Sequence, residues 1–186
     1  MELLAAIHGR RAARDYTSEA VDEATIRQLI DAAAWAPSAM NEQPWGFVVV
    51  RDRDVLDRIS REAKAYMLAT MTEHAHSGHF RTALGDPAFQ IFHDAPVLIL
   101  ICAVARGPWI VEDCALAAEN LMLAAHARAL GTCWIGFAQS LLATAGGRAL
   151  LNLPGGWVPL APIIVGHPAS TPPPVPRREP LIRLVG

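Results

Sequence analysis

Arg10-Arg11-Ala12-Ala13-Arg14 places three guanidinium groups within one short segment. A guanidinium is a planar fork that donates two parallel hydrogen bonds, which matches the oxygens of a phosphate. Taken alone, the cluster reads first as the solvated basic end of an N-terminal helix, where cations also favour the helix dipole. The second group is Ala36-Pro37-Ser38-Ala39-Met40-Asn41-Glu42-Gln43-Pro44-Trp45. Two prolines fix the ends of a loop whose hydroxyl and amide groups, on Ser38, Asn41 and Gln43, can meet the edge of a planar heterocycle. Loops on rigid scaffolds often carry function. Alone, this one is equally an ordinary helix-to-strand connection.

Other candidates carry less. His74, His76 and His79 form an H-x-H-x-x-H run that fits no standard zinc spacing, with Glu73 as its nearby carboxylate. A plain surface loop is the first reading, and a polar lid bearing imidazoles the second. Cys102, Cys114 and Cys133 are odd in number and lie among apolar residues, so they read as buried free thiols. Cys133 shows no resolving cysteine and no cationic neighbour in the sequence, which points to an inert thiol. Glu119 and His126 share a face of one helix, as an interface pair or a solvent edge. Asn120 either braces that helix in the core or reaches a neighbouring loop.

The elements that must hold these residues follow from periodicity. Met1–Gly9 reads as a short helix with Leu3, Leu4 and Ile7 on one face. Ser18 is placed to cap a second helix carrying Ile26, Leu29, Ile30 and Ala33, which Pro37 ends. Trp45–Val50 reads as a strand, Asp54 to about Thr72 as a helix, and His74–Asp86 as a polar excursion or lid. Pro96–Val104 is a strand covered on both faces. Asp113–Leu130 is a helix apolar almost all round, with Gly131 placed as its C′ residue. Thr132–Phe137 reads as a short strand entering a turn, and Pro159–Val165 as a strand broken by Gly166. Pro168–Pro176 is extended and delivers Arg177–Val185 to a distant surface. Together these predict an α+β fold, a mixed central sheet flanked by helices, in a single domain over residues 1–186.

Composition narrows the function classes. Hydrophobic residues are 52% of the 186 and the mean hydropathy is +0.24, which predicts a very apolar core or a large subunit interface. A formal net charge of −2 leaves no footprint for nucleic acid or anionic membrane. Of the 16 basic residues only Lys64 is a lysine. No apolar run is long enough to span a bilayer, and no signal peptide is legible, so the expected location is cytoplasmic. The chain carries no G-x-G-x-x-G and no P-loop, which argues against a tightly held dinucleotide.

Taken in order, five segments resemble the nitroreductase family. They are Ile7-His8-Gly9-Arg10-Arg11; Ala36-Pro37-Ser38 with Asn41-x-Gln43-Pro44-Trp45; Asp94-Ala95-Pro96; Asp113–Ala125 running on to Leu130-Gly131-Thr132-Cys133-Trp134-Ile135-Gly136; and Ile163-Ile164-Val165-Gly166-His167-Pro168, followed by prolines and an arginine pair. The resemblance covers nearly the whole chain. It implies an intertwined homodimer that binds FMN tightly and passes hydride from NAD(P)H, a transient visitor, to nitroaromatic, quinone or similar small-molecule acceptors by a ping-pong cycle. It further implies that the flavin carries the chemistry and that no side chain is catalytic. Arg10, Arg11 and Ala12 match the run that holds the FMN phosphate and the pyrimidine side, with Arg14 beside them. The loop from Trp35 through Pro37, Ser38 and Ala39 to Asn41 matches the one that reaches the flavin from the other subunit. Cys133, Trp134, Ile135 and Gly136 match the segment lying against the flavin near N5, and Arg178 matches a basic residue that helps hold phosphate. Ala12 stands where the family usually has serine, and Pro176 where a basic residue is frequent, so weaker FMN binding is expected. The alternatives are a flavin-binding storage or regulatory protein without turnover, a specialised dehalogenating or flavin-consuming relative, or a dimeric scaffold with no ligand.

Overall fold

The computed structural model describes residues 1–72 and 77–186. Its order is α1 (Leu3–Gly9), α2 (Glu23–Ala34), a 3-10 turn (Ala39–Asn41), β1 (Trp45–Val50), α3 (Arg53–Thr70), α4 (Ser77–Gly85), β2 (Val97–Ala103), α5 (Ile110–Ala127), β3 (Gly131–Trp134), α6 (Gly136–Ala143), α7 (Ala145–Leu150) and β4 (Val158–Gly166). The strands form one sheet in the order β1-β2-β4-β3.

Alternation along β2 divides the core. Val97, Ile99, Ile101 and Ala103 pack on α2 and α5, through Ile26, Leu29, Ala33, Cys114, Ala118, Leu121 and Ala125. Leu98, Leu100 and Cys102 pack on the other face, against Leu56, Ile59 and Ala63 of α3 and Ala138 and Leu142 of α6. Because successive strand residues point to opposite faces, a strand buried at every position must have helices on both sides. Burial of each large aliphatic side chain stabilises by roughly 1.5–3 kcal/mol. The many alanines of α5 let it lie close to the sheet and to α2.

The α+β layering agrees with expectation, but the sheet is antiparallel throughout its named strands rather than mixed. Connections explain this. Two helices separate β1 from β2 and two separate β3 from β4, so each second strand runs back. Single-helix α5 does leave β2 and β3 parallel, but β4 lies between them.

Local signals also resolve differently. Asp22, not Ser18, caps α2: its Oδ1 accepts the Thr25 N–H at 2.8 Å. Residues 77–85 of the expected lid are helical, while the H-x-H part with His74 and His76 lies outside the described residues. Gly131 is not the turn after α5; Ala129 takes the left-handed conformation (φ 58) and Gly131 opens β3. The expected strand through Phe137 stops at Trp134, where α6 begins almost at once. Among the described residues no helix is long and apolar enough to cross a membrane.

Candidate functional site

The arginine segment is laid along the free edge of β3. Ala13 N donates to Thr132 O at 3.0 Å, Ala12 bridges Thr132 in parallel fashion, and the Tyr16 hydroxyl donates to Ala13 O at 2.9 Å. Gly131 makes this approach possible, because a Cβ there would lie 2.6 Å from the Ala13 Cβ. Its glycine is required by close packing, not by a helix stop. The end of α1 is fixed against α5: Arg10 Nε lies 3.5 Å from Glu119 Oε1, and a Cβ on Gly9 would meet His126 Nε2 at 2.8 Å. Glu119 and His126 therefore face α1 of the same chain. Asn120 braces α5 on α2 by donating to Ala32 O at 3.3 Å.

This placement brings Arg14 to the turn between β3 and α6. Arg14, Met67, Ile91, His93, Cys133, Trp134, Ile135, Gly136 and Phe137 line a cavity of about 290 Å³. Ile135 provides no side-chain cap for α6; Ala138 N turns back to Ile135 O at 3.1 Å, and the Gly136 and Phe137 N–H groups, at the cavity wall, have no partner among the described residues. Phe137 lines the cavity and is backed edge-on by Phe80 at 5.5 Å and Phe89 at 6.5 Å. Cys133 does have cationic neighbours, contrary to the sequence expectation. Burial raises its thiol above the ordinary range even though Arg14 and, more weakly, Arg10 pull it down. It remains a protonated thiol at neutral pH.

The other expected site residues are spread apart within one chain. Arg11 Nη1 donates to His8 O at 2.6 Å and Arg10 O at 2.8 Å, closing the end of α1, and Arg11 lines a separate cavity of about 310 Å³ with His126 and Gly131. The Trp35–Asn41 loop lies at the β1 edge. Three interstrand spacings, about 14 Å in all, separate that edge from β3. The loop is tightly held: Ala39 N donates to the buried Asp113 Oδ1 at 2.9 Å, Gln43 N donates to Ser38 Oγ at 2.9 Å, and Gln43 Nε2 donates to Asn41 Oδ1 at 3.0 Å. Met40, Asn41 and Gln43 all take positive φ. Trp35 and Met40 project outward at 81% and 86% exposure, and Pro37 is exposed beside them. Arg178 lies in the exposed tail, without a hydrogen bond or ion pair among the described residues.

The model of the family described as "Nitroreductase family" matches residues 7–167. The chain belongs to the nitroreductase family. A protein of Methanothermobacter thermautotrophicus named "Putative NADH dehydrogenase/NAD(P)H nitroreductase" is 34% identical over 177 residues, covering 92% of this chain and 80% of the relative. A 5,6-dimethylbenzimidazole synthase of Rhodospirillum rubrum is 29% identical over 174 residues, covering 86% and 78%. The crystal structure of a nitroreductase with bound FMN from Desulfitobacterium hafniense superposes with a TM-score of 0.83 at 25% identity, covering all of both chains.

Within this nitroreductase-family chain, sequence reasoning missed four cavity residues, Met67, Ile91, His93 and Phe137. Three are apolar and carried no signal. His93 stands directly before the Asp94-Ala95-Pro96 motif, and that position was the available clue.

Proposed function

We propose that the chain is an FMN-dependent oxidoreductase that takes hydride from NAD(P)H and passes it to nitroaromatic, quinone or similar small acceptors, as a cytoplasmic homodimer of single 1–186 domains. The observation that carries the reading is the cavity joining Arg14 to Cys133–Gly136. Its mostly apolar lining with a few convergent polar groups is the usual character of a cofactor site.

The residues fit an anionic planar cofactor. Arg14 lines the cavity, and Arg10, whose Nε lies 3.5 Å from Glu119 Oε1, is close enough to act on the Cys133 thiol. Arg10 and Arg14 bring donor-only charge suited to phosphate and to carbonyl oxygens. The unpaired N–H groups at the start of α6 offer donors that need no side chain. Phe137 presents an aromatic face to the cavity, held in place by Phe80 and Phe89. Ala12 gives no hydroxyl, so binding leans on charge. Bound FMN would supply the redox chemistry, accepting and releasing hydride, and the protein holds and tunes it.

Three features support the homodimer. The Trp35–Asn41 loop and the cavity occupy opposite sheet edges, so a second copy is needed for both to meet one flavin. Leu3, Leu4 and Ile7 of α1 face outward at 66%, 66% and 46% exposure. In the tail Leu181, Ile182, Leu184 and Val185 are 76–103% exposed. Apolar residues so arranged call for a partner surface, and Arg178 on that tail would reach the phosphate of the neighbouring copy.

An absorbance spectrum of the purified protein, followed by anaerobic addition of NADPH or NADH, tests the activity. Yellow flavin bands that bleach and return on adding a nitroaromatic are expected. Flavin that does not bleach would indicate storage, and protein that takes up no FMN would sink the reading.

A further inference from the structure

The cavity beside β3 has two strongly polar side chains, Arg14 and His93, among apolar residues and the Cys133 thiol. They are chemically unequal. A guanidinium only donates, whereas a neutral imidazole donates from one nitrogen and accepts at the other. His93 is half-buried. Burial, and secondarily the Arg14 charge, hold its imidazole below the ordinary value against the smaller pull of Asp94, so the ring is uncharged at neutral pH.

Its position is heavily restrained. His93 and Asp94 both adopt left-handed backbone, at φ 52 and 60, a conformation that costs non-glycine residues free energy and persists where surrounding contacts impose it. His93 N donates to Gln90 O at 2.9 Å and Ala95 N donates to Phe92 O at 3.0 Å. Asp94 pairs with Arg53. The His93 ring meets Phe89 edge-on at 5.8 Å. The Phe89 carbonyl accepts from buried Lys64 at 2.8 Å, the only lysine of the chain. Contacts from β2's approach, α3 and the Phe89 turn thus fix one imidazole at the wall of one cavity.

We propose that His93 contacts the ligand directly, accepting the N–H of an imide-type C(=O)–N(H)–C(=O) edge while Arg14 donates to a flanking carbonyl. The inference rests on the flavin reading, since the pyrimidine ring of FMN carries such an edge. Arg14 cannot accept that N–H. Among the cavity side chains the imidazole is the one strong acceptor.

FMN and N3-methyl-FMN, which lacks the N–H, are titrated into wild type, His93→Gln and His93→Leu from about pH 5 to about pH 8. Wild type should bind FMN at neutral pH, discriminate against the methylated flavin, and lose affinity as acid protonates the acceptor. His93→Gln, whose side-chain oxygen accepts at every pH, should keep FMN affinity within about threefold and lose that part of the acid dependence. The FMN phosphate, Asp94 with Arg53, Arg14 and the Cys133 thiol are common to both proteins, so their difference isolates the imidazole. His93→Leu should bind FMN about tenfold more weakly and no longer distinguish the two flavins. Discrimination in wild type needs no variant and stands even if His93→Leu folds poorly. Equal affinity of wild type for both flavins, or an unchanged acid step in His93→Gln, would overturn the assignment while leaving FMN binding intact. Wild type that binds neither flavin would overturn the flavin reading itself.

Discussion

Three arginines that look alike in the sequence have different work in the structure. Arg14 lines the cavity at the turn after β3 and Arg10 acts on the Cys133 thiol, whereas Arg11 spends its Nη1 on the carbonyls that end α1. Arg10→Ala or Arg14→Ala should weaken FMN binding by about 1.5–3 kcal/mol, the usual size of a lost charge-assisted bond, read by flavin fluorescence titration. Arg11→Ala should act mainly on thermal stability, and an equal loss of FMN affinity in all three would contradict this division. The thiols make a second prediction. Burial pushes Cys102 up to about 12 and Cys114 up to about 11, and Cys133 and Tyr16 are also raised. A thiol raised in the folded state keeps its proton while the unfolded chain, titrating near about pH 8.5, releases it. Folding stability should therefore be insensitive to these groups below that value and fall progressively above it. Melting temperatures across this range check the sign, and Cys102→Ala should soften the decline. The arginine cluster was readable from its spacing. The cavity position of His93 was not, because it depends on a strained backbone and on Arg14, brought close only by folding.

At the scale of elements, the site depends on how closely one irregular segment can approach β3. Gly131→Val should push residues 12–14 away from the sheet edge, costing about 1–3 kcal/mol of stability as overpacking does and weakening FMN binding with it. Normal stability and affinity in that variant would show that the edge does not position the arginines. The distant loop relies on Asp113 in the same way. Asp113→Ala leaves the Ala39 N–H without its partner and should cost about 1–3 kcal/mol in chemical denaturation, with Asp113→Asn retaining most of the bond. Strands β1, β2 and β4 were legible to within a residue or two because each is a short apolar run rich in valine or isoleucine, bounded by proline, glycine or charge. Helix α6 was not: Gly136–Ala143 is a short apolar stretch with no cap, so nothing local separates it from the strand before it. Strand direction was also hidden, because it is set by the number of helices in each connection rather than by any residue.

For the whole molecule, the apolar composition anticipated by the sequence has two destinations. Part of it fills the two cores on either face of the sheet. The rest is outside, on α1, on the Trp35–Met40 loop and on the C-terminal tail. The outward turn of Leu3, Leu4 and Ile7 could not be read from their spacing, which shows that an apolar face exists and not what covers it. Sedimentation should give a dimer, and removing residues 171–186 should weaken both dimerisation and FMN retention. A truncated protein that stays dimeric and holds FMN as before would take the tail out of the account.

The most direct test of the shared site is a crystal structure of the protein with FMN. One flavin per chain is expected, its ring system in the cavity of Arg14, His93 and Cys133–Gly136, with the Trp35–Asn41 loop of a second copy closing over it. A flavin seated in the Arg11–His126 cavity, or enclosed by a single chain, would contradict this arrangement.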